Sequence, residues 1–232
     1  MKKNLVEMAF ILDRSGSMSG LEKDTIGGFN SLIEKQKQET GEAFVTTVLF
    51  DDQYELLYDH VNIKDVKELT SKEYYPRGMT ALLDAVGRTI NSIGARLSAT
   101  PEDERPEQVI IVITTDGYEN ASREFTKTKV KEMIEHQQTK YSWTFMFLGA
   151  NMDAVSEATS LGINQDFAKT YTNSSVGLNS VYSAVSCSVS AMRNVESFAT
   201  TDDLGCDETT ARSNRMARAK TVASSTLKSN VK

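Results

Sequence analysis

Residues 109–113 read Val-Ile-Ile-Val-Ile, an aliphatic, β-branched run with no polar position for either face of a strand. A strand with one wet face alternates in polarity; a run without alternation fits a central strand covered on both sides, as in a parallel sheet between helical layers. The rest of the chain keeps to that plan. Residues 5–12 form an apolar run of strand length that stops at Asp13, and residues 43–50 form another, rich in Val and Thr. Further runs lie at 143–148 and 167–171. Between them, Ile26, Phe29, Leu32 and Ile33 recur at helical spacing in 24–38, as do Leu82, Leu83, Val86, Ile90 and Ile93 in 80–97. Shorter helices are expected over 127–138 and 152–160. Residues 54–61 follow 43–50 after Asp51-Asp52-Gln53 alone, too short a link for a parallel crossover, so these two strands form a hairpin. The prediction is an α/β fold: a doubly wound, mostly parallel sheet with one antiparallel edge strand and helices on both faces.

Beyond the last strand, Leu178, Val181, Tyr182, Val185, Val189 and Met192 keep helical spacing on a serine-rich helix. After residue 197 the periodicity fades, acids cluster at 202–208 and bases at 212–220. This divides the chain into a domain over 1–195 and a polar, flexible tail over 196–232. Arg212, Arg215, Arg218 and Lys220 are read there as solvated, with partner docking as the sharper alternative.

A chain of 232 residues that is 39% hydrophobic has material for a packed core, and its net charge of −6 speaks against nucleic-acid binding. Cys187 and Cys206 have no clip-like spacing, which fits a reducing compartment, with Cys187 as a small packing residue. Glu7 interrupts the apolar run behind Lys2-Lys3 and Asp13-Arg14 ends it, so no secretory signal is read there. No run approaches the ~20 apolar residues of a membrane span. The expectation is a cytoplasmic protein with neither membrane nor nucleic-acid partners.

Three segments stand where a strand or loop meets a helix: Asp13-Arg14-Ser15-Gly16-Ser17-Met18, Gly78-Met79-Thr80 and Thr115-Asp116-Gly117. The carboxyl ends of inner strands form the ligand crevice of a doubly wound sheet. Hydroxyls and carboxylates converging there suit a hard cation such as Mg²⁺, which takes oxygen ligands. Each segment alone also reads as a turn or helix cap. An EF-hand would need glycine at its sixth loop position, where Met18 stands. Glu119 and Asn120 read as a solvated loop, Asp51 and Asp52 as turn residues, and His60 and His136 as isolated structural histidines.

The ordered set Asp-x-Ser-x-Ser, a distant Thr behind a glycine, and Thr-Asp-Gly after an apolar strand resembles the metal-ion-dependent adhesion site of von Willebrand factor A-type domains. The resemblance covers about residues 5–195. Gly27-Gly28-Phe29-Asn30 and Tyr74-Tyr75-Pro76-Arg77-Gly78 are most similar to uncharacterised prokaryotic, intracellular members. It implies a Rossmann-like fold and a divalent metal, Mg²⁺ with Mn²⁺ or Ca²⁺ as alternatives, held by Asp13, Ser15, Ser17, Thr80 and Asp116. By the same resemblance Ser15 and Ser17 touch the ion, Thr80 does so directly or through water, and Asp13 and Asp116 act largely through water. A partner protein supplies an Asp or Glu to the open position, and the last helix shifts with metal coordination. The function implied is a non-enzymatic, metal-dependent protein-binding module, an intracellular adaptor. Two alternatives stand beside it: a Mg²⁺-dependent phosphohydrolase with Asp13 as nucleophile, and an adaptor subunit of an AAA-type ATPase or signalling system, the latter on fold analogy alone.

Overall fold

The structure is a computed structural model and describes residues 1–229. Six strands form one sheet in the order β3-β2-β1-β4-β5-β6. They are β1 (Lys2–Asp13), β2 (Glu42–Phe50), β3 (Tyr54–Asn62), β4 (Pro106–Thr115), β5 (Thr144–Ala150) and β6 (Ala168–Tyr171). All neighbours pair in parallel except β2 and β3, whose antiparallel hairpin puts β3 at one edge. The predicted fold class is therefore the observed one.

Burial follows the sequence pattern. In β4, Ile110 and Val112 enter the core beneath α1 (Glu22–Lys37) and α5 (Ser175–Arg193). Ile111 and Ile113 enter the core beneath α2 (Leu82–Ala99), α3 (Lys127–Tyr141) and α4 (Ala154–Ser160). An all-apolar strand is thus consumed by two cores, which is why it has no polar face. The register sets Leu12 of β1 beside Thr114 of β4 and Asp13 beside Phe50 of β2, so three strands end at one level.

The segment expected as a flexible tail over 196–232 has a different form. It makes short 3-10 turns and then α6 (Glu208–Ser229), a helix of 22 residues. Ala223 and Leu227 of α6 are fully buried in the core beneath α5. The Ser188 hydroxyl donates to the Ala223 carbonyl at 2.8 Å, a close helix–helix approach that small side chains permit. The basic residues read as solvated are engaged internally: Arg212 bonds Glu107, Glu196 and Asn4, and Arg218 bonds Asp203. Lys220 donates to the Ser142 carbonyl at 2.9 Å. Residues 230–232 of that expected tail lie outside the described residues. Cys187, expected to pack, is exposed. His60 is structural: it stacks on Phe44 and meets the buried Glu7 carboxylate at 2.6 Å.

Candidate metal centre

The site lies where β1 and β4 run out. Asp13 is the last residue of β1, and the chain then makes a 3-10 turn over Gly16–Met18 that brings Ser15 and Ser17 to one side. Their hydroxyl oxygens are 3.1 Å apart, and Ser17 Oγ donates to Asp116 Oδ1 at 2.5 Å. Oxygens sharing one octahedral ion with bonds of about 2.1 Å lie about 3 Å apart, so the Ser15–Ser17 spacing matches an edge of such a shell, with Asp116 hydrogen-bonded beside it. Thr80 joins through Gly117. A Cβ placed on Gly117 would stand 3.0 Å from Thr80 Oγ1 and 3.4 Å from Ser17 Oγ, so only a glycine leaves the space between the two hydroxyls open. The five oxygen-bearing side chains singled out in the sequence therefore face one small region.

Asp13 is nearly inaccessible, at 1% exposure. One carboxylate oxygen accepts the Ser15 N–H at 2.7 Å and the other accepts the Thr115 hydroxyl at 2.6 Å. Burial pushes its pKa up to about 6, opposed by these hydrogen bonds. Burial raises Asp116 as well, opposed by the Ser17 hydroxyl. No Lys or Arg among the described residues pairs with either acid. Arg14, the nearest basic residue in sequence, is fully buried and points away to Asp51 and Glu55, at 3.1 and 2.7 Å. Arg77 joins Asp51 at 2.6 Å, so that buried acid is a structural counter-ion rather than a plain turn residue. Gly78, with φ of +66°, accepts the Gly16 N–H at 3.2 Å and ties the first loop to the second.

Sequence reasoning undervalued the loop after Asp116. The Asn120 side-chain oxygen accepts the Thr80 N–H at 2.9 Å, and the N–H groups of Asn120 and Ala121 donate back to the Thr80 carbonyl at 3.0 and 3.2 Å. Glu119 accepts from the N–H groups of Leu83, Ala121 and Ser122. Asp84, in the first turn of α2, accepts from those of Arg123, Glu124 and Phe125. Two carboxylates thus fasten this loop to the start of α2, where backbone N–H groups lack helical partners. The sequence carries only a weak sign of it, acids and Asn between a strand and a helix.

No group of three or more Asp, Glu, His or Cys side chains gathers as a metal cage among the described residues. The donor set here is different: hydroxyls with two carboxylates, all hard oxygens, which fits Mg²⁺, Mn²⁺ or Ca²⁺ better than a metal that prefers sulfur or imidazole. A solved structure of similar shape is the proximal thread matrix protein 1 of the mussel byssus, described with a zinc-occupied MIDAS motif. That protein superposes with a TM-score of 0.53 at 18% identity, over 80% of this chain and 46% of its own. A von Willebrand factor type A structure from Catenulispora acidiphila superposes with a TM-score of 0.55 at 16% identity, over 82% of this chain and 43% of its own. This is a von Willebrand factor A-type fold. The present chain spans less than half the length of either structure, and at these identities the likeness is one of fold. No family model and no curated protein matches the sequence. No helix among the described residues is long and apolar enough to cross a membrane.

Proposed function

We propose that this A-type domain is a divalent-metal-dependent protein-binding module in which Asp13, Ser15, Ser17, Thr80 and Asp116 hold the ion, Mg²⁺ in the first instance and Mn²⁺ or Ca²⁺ as alternatives. The observation that carries the reading is a convergence of oxygens from three loops around a buried and a half-buried acid that pair with no cation among the described residues. An uncompensated pair of this kind in a partly closed crevice favours a cation as its partner. Ser15, Ser17 and Thr80 offer uncharged ligands. Asp13 and Asp116 support them from the outer shell, which suits the two hydrogen bonds already made by Asp13. With few direct carboxylates the ion stays electron-poor and takes an anionic ligand, an Asp or Glu side chain of a partner protein. The module then serves as a cytoplasmic adaptor, with an AAA-type ATPase or a signalling assembly as the alternative setting.

The phosphohydrolase alternative is weaker. A nucleophilic Asp13 needs a free carboxylate oxygen facing substrate, and both of its oxygens accept from protein donors in a buried position. Titration with Mn²⁺, followed by the paramagnetic resonance of the free ion, tests metal holding; Ser17→Ala should abolish saturable binding. Partner capture in Mg²⁺, in EDTA and with Asp13→Ala tests the bridge. Identical partner sets in all three conditions overturn the metal-bridged reading, as does turnover of a phosphoester that Asp13→Asn abolishes.

A further inference from the structure

A fourth loop reaches the same crevice, between β6 and α5, and Asn173 is its tip. The Asn173 side-chain amide points its nitrogen at Asp116 Oδ2, 3.4 Å away. The opposite orientation would set its oxygen against a carboxylate, so the donor faces the acid. Its carbonyl oxygen, Oδ1, is buried and has no hydrogen-bond partner among the described residues. A buried acceptor without a donor is costly, and such orphans in native proteins mark a group that is satisfied by something else.

The backbone that carries this side chain is tied down. The Asn173 N–H donates to the Asn151 side chain at 3.1 Å, and Asn151, held at φ of +50°, donates its own N–H to the Tyr171 carbonyl at 3.0 Å. On the other side Ser174 caps α5 by accepting the Gly177 N–H, with Thr172 Oγ1 3.0 Å from Ser174 Oγ. The tip is therefore fixed from both flanks, with one amide atom on Asp116 and the other unclaimed.

We propose that Asn173 is a positioning residue of the site: its nitrogen orients Asp116, and its oxygen accepts a hydrogen bond from a water that completes the shell of the bound cation. The inference rests on the metal-site reading above and adds a fourth loop to it. Hydrogen-bond partners of the groups around a metal keep those groups in place, and losing one typically weakens metal affinity by roughly ten- to a hundredfold.

The test uses Mn²⁺ as the probe on the full chain. Asn173→Ala should bind Mn²⁺ at least about tenfold more weakly than wild type. It should also exchange metal-held water faster, as read by ¹⁷O relaxation, while the melting temperature of the EDTA-treated protein stays where it was. Asn151→Gly, which loosens the loop without touching Asp116, should shift both metal readouts in the same direction by less. Wild-type affinity and wild-type water exchange in Asn173→Ala overturn the proposal and leave the metal site standing. A lower melting temperature without EDTA dependence, with water exchange unchanged, also overturns it, because the residue would then only hold the loop. If the wild-type chain binds no Mn²⁺, both readings fall together.

Discussion

The two ends of the sheet treat buried acid in opposite ways. At the amino-terminal end of β4, Glu107 meets Arg212 of α6 through both of its carboxylate oxygens, one pair at 2.6 Å. Burial raises the Glu107 pKa, but the Arg212 hydrogen bonds and the Asn4 N–H outweigh it and hold the carboxyl below its ordinary range. At the carboxyl ends of β1 and β4, burial dominates and leaves Asp13 and Asp116 above theirs. Arginines complete the first cluster. The second contains no cation among the described residues. A satisfied cluster fastens one part of the chain to another, whereas an unsatisfied one costs stability until a ligand arrives. That difference separates a clamp from a site.

Removing the clamp's cation gives the largest effect. Arg212→Ala leaves Glu107 and the half-exposed Glu196 without their shared partner in a position where the Arg212 side chain is only 7% exposed. Breaking a buried pair from one side costs about 3–5 kcal/mol. Urea denaturation should show that loss, with α6 exchanging its amide hydrogens earlier than α5. A change below about 1 kcal/mol would reduce the clamp to an ordinary surface pair and dissolve the contrast.

The pH dependence separates the two ends by sign. In metal-free protein the folded Asp13 titrates at about 6 against an ordinary 3.8, so the folded state holds a proton that the unfolded state has released. Asp13 therefore lowers stability as pH rises from about 4 to above 6, by a total on the order of 3 kcal/mol. Glu107 works in the other direction: its contribution is present above the ordinary carboxylate pKa and is lost as pH falls through its depressed one. Urea midpoints for wild type and Asp13→Asn in EDTA should diverge across that window, with the wild type falling relative to the variant. Parallel curves would mean that Asp13 carries no burial penalty.

What was legible in the sequence follows the same division. The strands announced themselves because β-branched runs such as 109–113 have no other use in a chain of this composition. The gathering of Asp13, Ser15, Ser17, Thr80 and Asp116 was legible because each stands directly after a strand or before a helix, where the topology delivers it to one edge. Helix α6 was not. Its buried face is Ala211, Arg215, Ala219, Ala223 and Leu227, a regular four-residue spacing, with Arg212 beside it, carried mostly by alanine and by arginine stems. Alanine adds little to an apolar scan, yet it is the residue that lets α6 approach α5 closely. Asn120 and Asn173 were hidden for another reason. Nothing local distinguishes a loop asparagine that pins a neighbour from one in solvent; only the fold brings Thr80 and Asp116 beside them.

Adding the missing cation should erase the contrast between the two ends. On the metal-site reading, Mg²⁺ at about a hundredfold excess over its dissociation constant stabilises the fold by about 2.7 kcal/mol. The gain should grow as pH rises through 6, because protonation of Asp13 competes with the ion. Asp116→Ala should lose the gain and Arg212→Lys should keep it, measured by thermal denaturation with Mg²⁺ and with EDTA. A Mg²⁺ effect equal at both pH extremes would detach the ion from Asp13.

The smallest effect sharpens the comparison most, because it tests whether the open end is built for its ligand. Asn120 is exposed, yet its side chain takes the N–H of Thr80, a residue only 3% exposed. Asn120→Ala deletes that acceptor while the two backbone bonds to the Thr80 carbonyl remain, so the cost in stability should be about 1 kcal/mol. Thr80 is the only predicted ligand on its loop, as Asp116 is on its own, and the Thr80 N–H is held by this bond. Mn²⁺ affinity should therefore fall several-fold more than a 1 kcal/mol loss spread over the whole fold could explain, whereas Arg212→Ala, with its larger cost at the far end, should leave that affinity close to wild type in the folded protein. Were the two variants to weaken Mn²⁺ binding in proportion to their loss of stability, the site would have no private support, and its asparagine would be another part of the scaffold.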